Sequence, residues 1–437
     1  MKKILLIGNG AREHALAVAF KRSKHDVSLF VVGSAKNPGI YKLAEEYLIA
    51  DTCDLDKIYE FAKKTKPDFA FIGPEAPIAK GVCDMLLEME IKCASPLKTV
   101  GRLESSKSFT RDLVEKYKIA GNPEFKVFYD ENGLEEFFNK LGDDFVVKAD
   151  GLKGGKGVKV SGDHLNGKNE GIAYAKECLK DCGRVVIEEK LIGQEFSLMS
   201  FCDGITTKDM PAVQDHKRAY EGDKGPMTGG MGTYSCENHS LPFLTQKDID
   251  DASDITKKVA AALFEETGTY FKGIMYGGFI ATKNGVKLIE YNARFGDPEA
   301  MNVLPILKTD FVDICEAIIN KTLDTLEIEF DKKATVCKYA VPNGYPDSPV
   351  KGEKIFLDEC GNTVKIYFAS VDEKEDGLYL AGSRAVAFVG IADDLASAEK
   401  IAEDSISKLK GPVFYRKDIG TKTLIDARIS AMKELRK

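Results

Sequence analysis

Over residues 3–100 short apolar runs alternate with helical patterns, and this alternation constrains the fold more than any other feature of the chain. Residues 4–7, 27–32, 69–72 and 91–94 read as strands, with helical patterns over 13–23, 57–64 and 81–89 between them. A helix between two strands returns the chain parallel to its start, whereas antiparallel neighbours need only a tight turn. The expected product is an open parallel sheet with helices on its faces. Such sheets place their ligands at the C-terminal ends of the strands. Two loops fall there, Gly8-Asn9-Gly10 after the first strand and Gly73-Pro74-Glu75 after residues 69–72. The first either brings backbone N–H groups and a helix N-terminus up to an anion, or is a tight turn and nothing more. It is not a dinucleotide fingerprint, because Glu13 stands where the third glycine of GxGxxG would fall. Bulky Arg12, Glu13 and His14 suit a small phosphate ester better than a pyrophosphate.

At 437 residues the chain is too long for one core and should divide into roughly three domains. The β-pattern changes near residue 104, where Ser105 to Ser108 should open a helix reaching Tyr117. Strands are expected at 145–149 and 185–189, a long helix near 247–268, strands at 335–340, 364–368 and 384–389, and an amphipathic helix over 396–409. A formal net charge of −7 disfavours a nucleic-acid or anionic-membrane partner. No apolar run approaches ~18 residues, and the opening Met1-Lys2-Lys3 leads into a first strand rather than a signal peptide. Ten scattered cysteines without a CxxC pair fit reduced thiols and a cytoplasmic location better than a disulfide framework or zinc site.

The densest chemistry lies at residues 288–299. Read as a strand, this segment puts Ile289, Tyr291, Ala293 and Phe295 on an apolar face, with Glu290, Asn292 and Arg294 opposite. A carboxylate beside an amide oxygen offers the hard ligation that Mg²⁺ needs, with phosphates completing the shell. A guanidinium two residues on can neutralise a transferring phosphoryl group. Gly296 and Pro298 then break the strand where Asp297 and Glu299 arrive. Upstream, Lys148 ends a strand before Gly151-Leu152-Lys153-Gly154-Gly155-Lys156-Gly157. This is not a Walker A loop, since Gly157 replaces Ser or Thr, but it could serve as a glycine lid over a triphosphate or be a surface hairpin. Glu188-Glu189-Lys190-Leu191 with Glu195 could present backbone to an adenine and a carboxylate to ribose, or be an ordinary charged strand end. Gln214-Asp215-His216-Lys217-Arg218 followed by Thr228-Gly229-Gly230-Met231-Gly232 suits a small zwitterion, with Asp215 for the ammonium and backbone N–H groups or a cation for the carboxylate.

Together these segments resemble the glycinamide ribonucleotide synthetase (phosphoribosylamine–glycine ligase) family of ATP-grasp enzymes in purine biosynthesis. The likeness runs through nearly the whole chain, in the motifs at 8–15, 73–77, 105–110, 147–158, 187–189, 214–218, 228–232, 289–299 and 416–420. The resemblance implies an α/β protein in three parts: a Rossmann-like domain at 1–103, an α+β ATP-grasp domain at 104–325 with its lid at about 120–192, and a small C-terminal α/β domain at 326–437. It implies that ATP, glycine and 5-phosphoribosylamine become glycinamide ribonucleotide, ADP and phosphate through glycyl phosphate. Arg294 and Lys148 would be catalytic, and Glu290 and Asn292 would hold Mg²⁺ or Mn²⁺. Lys107, Lys148, Gly154, Gly155, Lys156, Gly157, Glu188, Glu189, Lys190, Leu191 and Glu195 would bind ATP. Gly8, Asn9, Gly10, Gly73, Pro74, Glu75, Asp215, Gly230, Arg294, Asp297 and Glu299 would face the other substrates. Small molecules would be the only partners, in a monomer or weak homodimer. The carboxylate that many ATP-grasp enzymes carry on the preceding strand is missing from Met275-Tyr276-Gly277-Gly278-Phe279, as it is in this family. Pro226-Met227 and Ala300-Met301 depart from the family pattern. Another ATP-grasp carboxylate–amine ligase, or a non-catalytic nucleotide sensor on the same fold, are the rival readings.

Overall fold

The computed structural model describes residues 1–153 and 157–437. Its N-terminal part is a five-stranded sheet of β1 (Lys2–Ile7), β2 (Val27–Gly33), β3 (Glu46–Ile49), β4 (Phe69–Ile72) and β5 (Lys92–Cys93), in the order β3-β2-β1-β4-β5. Every pairing is parallel. The direction of strand addition reverses at β1, so the crevice between the C-terminal ends of β1 and β4 is the natural ligand site of such a sheet. Gly8 follows β1 and Gly73 follows β4, which brings both predicted loops to that crevice. The third strand was not legible: half of its four residues are charged or phenolic, and it forms the sheet edge.

Two antiparallel four-stranded sheets make the central part. One runs Thr207–Asp209, Gln194–Cys202, Gly273–Thr282, Gly285–Asn292 in spatial order, and the other Phe125–Phe128, Val185–Glu189, Phe145–Ala149, Val158–Val160. The long helix Gln246–Thr267 packs on the first sheet. It starts at Thr245, whose hydroxyl accepts from the Asp248 N–H while Asp248 answers the Thr245 N–H, and stops at Gly268 in the left-handed region (φ 68°).

Two local expectations are corrected. The helix expected from Ser105 to Tyr117 is broken at Ser106, which is extended (φ −140°) and separates helix Lys98–Ser105 from helix Lys107–Lys116. Here the backbone N–H groups of Lys107 and Ser108 donate to Asp150 Oδ1 at 2.5 and 3.3 Å, so the break is fixed by a carboxylate 40 residues or more downstream that no local pattern reveals. The strand expected over 288–299 ends at Asn292, and a β-bulge interrupts it: Gly278 pairs with Glu290 and Phe279 with Leu288, which leaves Ile289 as the extra residue. Ile289 is therefore half-exposed on the cavity wall and not in the core. The bulge has a purpose in the pattern. Val286 and Leu288 are core residues, so strict alternation would carry Glu290 into the core as well. One inserted residue shifts the parity, burying Tyr291 and turning Glu290 and Asn292 to the cavity.

Among the C-terminal strands only Lys354–Ile355, Gly377–Leu380 and Val371–Lys374 form a sheet of their own; the main sheet is shared with the central part. Gln214–Asp215 and Gly232–Ser235 join Ala334–Pro342, Val386–Ala392 and Lys365–Phe368 in one sheet, with Val413–Phe414 pairing at its side. Helix Leu395–Ile406 covers it. One apolar core runs from the N-terminal sheet into the centre: Phe311 lies 4.8 Å from Phe20 and 5.6 Å from Phe71 between ring centroids, and Phe295 packs against both Phe71 and Phe311. Phe295 thus anchors the turn carrying Arg294 and Asp297. No helix among the described residues is long and apolar enough to cross a membrane.

Candidate active site

A cavity of about 670 Å³ lies where the three parts meet, lined from the N-terminal loops, both central sheets and the C-terminal part. Lys107, Lys148, Glu188, Glu189, Lys190, Leu191, Glu195, Asp215, Glu290, Asn292, Arg294, Asp297 and Glu299 all reach its wall, as do Glu75 and Gly157. Gly154, Gly155 and Lys156 lie outside the described residues.

On the sheet of Val185–Glu189, a buried ion cluster fastens three elements together. Arg111 Nε and the Glu188 carboxylate are 2.6 Å apart, and Lys148 Nζ lies 2.7 Å from the same carboxylate. The second ends of both cations reach the bulge: Lys148 donates to the Ile289 carbonyl at 2.9 Å, and Arg111 to the Leu288 and Ile289 carbonyls at 3.0 and 2.7 Å. Burial pushes Glu188 up, but Arg111 and Lys148 more than offset it and hold it below the usual carboxylate range. Burial likewise lowers Lys148, against the pull of Glu188. The Glu188 carboxylate therefore holds Lys148 in place, while the Glu188 backbone lies between the strands of Phe125 and Val146.

Opposite this cluster, Glu290 is surrounded by Lys217, Lys148, Lys107 and Arg294, which overcome the effect of burial and keep its carboxyl ionised. No hydrogen-bond donor among the described residues engages that carboxylate. Asn292 Oδ1 accepts from Arg294 at 3.1 Å and has a second lone pair to give. An ionised, unengaged carboxylate beside an amide oxygen is the donor set a hard divalent cation takes, so these residues fit a Mg²⁺- or Mn²⁺-type ion. Arg294 itself is held rigidly: its Nη2 lies 2.9 Å from Glu104, its Nε 3.5 Å from Glu75, and its Nη1 donates to the Phe295 carbonyl at 3.2 Å. Glu104 also accepts from the Ala293 N–H at 2.7 Å.

Further along the cavity the carboxylates crowd. Burial and the nearby Glu299 raise Asp215 well above the usual carboxylate range. Glu299 accepts from the Tyr276 hydroxyl at 2.7 Å. Gly230 has φ 111°, and a Cβ there would lie 2.7 Å from Asp215 Oδ1, so the glycine is needed both for the turn and for the close approach. Asp297 is gripped by Arg384 Nη2 at 3.1 Å and the Tyr339 hydroxyl at 2.9 Å. It also lines a second cavity of about 180 Å³, with Asn9, Gly10, Lys36, Ser370 and Arg384. The two cavities share Asp297 and Arg384, so they are adjacent compartments of one cleft. Gly8 and Gly73 hug Glu13, whose carboxylate accepts from the Gly10 N–H at 2.6 Å; a Cβ on either glycine would fall inside 3 Å of it. Pro74 is the N-cap of the short helix that starts at Glu75.

Sequence reasoning missed Glu104, Arg111, Tyr276, Arg384 and the individual importance of Lys217. Four of these carry no local motif and reach the site through the tertiary fold. Lys217 was visible inside the Gln214–Arg218 run, where nothing in the pattern said which of two adjacent cations faces inward.

Two antiparallel sheets closing on a cleft of paired lysines, an unengaged Glu-x-Asn pair and a fixed arginine define an ATP-grasp protein. The comparisons narrow this class. The N, ATP-grasp (A) and C domains of phosphoribosylglycinamide synthetase match residues 2–104, 105–300 and 335–422, and the chain belongs to that family. It is 52% identical to a phosphoribosylamine–glycine ligase of Methanocaldococcus jannaschii, over all of both chains. It is 50% identical to one of Methanosarcina barkeri, covering 99% of this chain and all of the relative. The crystal structure of the Thermotoga maritima phosphoribosylamine–glycine ligase superposes with a TM-score of 0.79 at 28% identity, covering 95% of this chain and 99% of the other.

Proposed function

We propose that this chain joins glycine to 5-phosphoribosylamine at the expense of ATP, giving glycinamide ribonucleotide, ADP and phosphate for purine biosynthesis. The observation that carries this reading is that Lys148, Glu290, Asn292, Arg294 and Asp215 face one cavity that continues, past Asp297, to the glycine loop at Gly10. In the first step a glycine carboxylate oxygen attacks the γ-phosphorus, the new O–P bond forms, and the bond to the bridging oxygen breaks with its electron pair kept by ADP. In the second, the amine nitrogen attacks the glycyl carbonyl, the C–O bond breaks with its electron pair kept by the departing phosphate, and the proton the nitrogen gives up leaves with that phosphate. No protein nucleophile is required, so the chain contributes position and charge.

Each group has a part in this scheme. Lys107 and Lys148 face the phosphates, and Gly157 and the motif residues Gly154, Gly155 and Lys156 are assigned to the same ATP. The Glu188–Leu191 backbone and Glu195 hold adenosine. Glu290 and Asn292 hold a divalent ion, which when bound neutralises phosphate charge. Asp215, beside Gly230, takes the glycine ammonium. Arg294 neutralises the acyl phosphate, while Asp297, Glu299 and the loops at Gly8, Asn9, Gly10, Gly73, Pro74 and Glu75 receive phosphoribosylamine. ADP release measured with glycine, formate or bicarbonate as the carboxylate tests the reading. Turnover should require glycine, and strict dependence on either other acid would refute it.

A further inference from the structure

We propose that Lys217 is a catalytic residue whose ammonium bridges the glycine carboxylate and the γ-phosphoryl group as they react, and then holds the resulting acyl phosphate. The inference rests on the ligase reading above and adds a group to it.

Commitment separates Lys217 from the other described cations on the cavity wall, the exposed Lys153 aside. Each arginine there, and Lys148, already has a carboxylate partner within 4 Å. Lys107 and Lys190 donate to backbone carbonyls, at 3.0 and 2.7 Å, and Lys153 is exposed on the lid loop. The ammonium of Lys217 makes neither a hydrogen bond nor an ion pair with any described residue, although four carboxylates surround it. On the ligase reading Glu195 and Glu290 serve the nucleotide and its metal ion, and Asp215 and Glu299 the other substrates; all four line the same cavity as Lys217. Its backbone is fixed: the Lys217 carbonyl accepts from the Thr228 N–H at 2.7 Å and from the Thr228 hydroxyl at 2.9 Å, and the preceding N–H donates to Gly232 at 3.1 Å. A rooted stem with an unengaged cation is prepared for an anion that arrives with the substrates.

The chemistry supplies that anion at this place. When Glu290 has a metal ion, Asp215 an ammonium and Glu195 the ribose, and with Glu299 already bonded to the Tyr276 hydroxyl, the carboxylate and phosphoryl group in reaction are the anions left for Lys217 to meet. Both are anionic, so their approach is repulsive until a cation sits between them. A cation placed where charge shifts during reaction lowers the barrier without needing reorganisation. The O–P bond that forms and the P–O bond that breaks both lie on the phosphoryl group the ammonium contacts, and the lysine exchanges no proton.

Hydroxylamine in place of phosphoribosylamine captures glycyl phosphate as glycine hydroxamate, which reads the first step alone. Lys217→Met keeps the stem and removes the charge. Its expected behaviour is ADP binding within about three-fold of native and hydroxamate formation lowered roughly a hundred- to a thousand-fold at saturating ATP and glycine. Lys217→Arg restores the charge and should form hydroxamate at least about ten-fold faster than Lys217→Met. A Lys217→Met rate near native, a loss confined to the KM for ATP, or a Lys217→Arg rate no better than that of Lys217→Met would each overturn the proposal. Native enzyme forming neither hydroxamate nor glycine-dependent ADP would remove the ligase reading first, and is scored separately.

Discussion

At the scale of single residues, the cleft works by dividing its charges into those already spoken for and those left open. Arg294 is locked by Glu104, Glu75 and Asn292, and Lys148 by Glu188, so neither has to be ordered when substrate arrives. Glu290 is the reverse case, an ionised carboxylate ringed by four cations and engaged by no described donor. Replacing it with glutamine keeps shape and polarity but removes the metal-attracting charge. Glu290→Gln should lower kcat roughly a hundred-fold or more, while the protein still folds, with a modestly lower thermal midpoint because four cations lose an ionised neighbour. Steady-state kinetics over a Mg²⁺ titration, beside a melting curve, checks both halves. Near-native turnover at saturating Mg²⁺ would refute the metal assignment.

At the scale of elements, the critical joint is where helix Lys107–Lys116, strand Val185–Glu189 and the bulged strand Gly285–Asn292 meet. Arg111 from the helix and Lys148 from the neighbouring strand share Glu188, and both bond the carbonyls exposed at the bulge. Because Arg111 and Glu188 are almost fully buried, removing the guanidinium strands charge in a low-dielectric interior. Arg111→Met is expected to cost about 3 kcal/mol of stability. The loss should be visible as a lower urea midpoint and as faster amide exchange in the Val185–Glu189 strand. An unchanged midpoint would mean that Lys148 alone satisfies Glu188.

At the scale of the whole molecule, two histidines are buried, and one of them, His14, joins parts distant in sequence. His14 of the first helix accepts the Phe368 N–H at Nδ1, at 3.0 Å, and stacks on the Phe368 ring. His216 sits 3.1 Å from the Gly232 carbonyl through Nδ1, which must therefore donate, and its Nε2 is buried without a partner among the described residues. Burial lowers both to about 4, with Lys42 adding to the effect at His14 and Arg416 at His216. Each folded-state value lies below the unfolded ~6.5, so the unfolded chain binds protons first as pH falls. The stability tied to these neutral rings is complete above ~6.5 and is lost as pH drops toward 4, by up to ~3 kcal/mol per histidine. Urea midpoints at pH 7 and pH 5 should differ strongly in the native protein, and the difference should shrink in His14→Asn. Equal pH sensitivity in that variant would place the effect elsewhere.

Local pattern settled those features that depend on near neighbours in sequence. The strand–helix alternation of residues 3–100 determined a parallel sheet and put Gly8 and Gly73 at its ligand-binding edge, because crossover length and side-chain period are local properties. Glu290, Asn292 and Arg294 could likewise be picked out as candidates from residue types two apart, and all three line the cavity. The tertiary structure alone decided how that chemistry is aimed. The bulge at Ile289 sets the parity that turns Glu290 outward, and it exists only through pairing with Gly278 and Phe279. The break at Ser106 depends on Asp150, the fixing of Arg294 on Glu104 and Glu75, and the second compartment on Arg384, each far away along the chain. Burial and electrostatic partnership are properties of what surrounds a side chain in space. They determine which cations of the cleft are already paired and leave Lys217 open for the reacting anions.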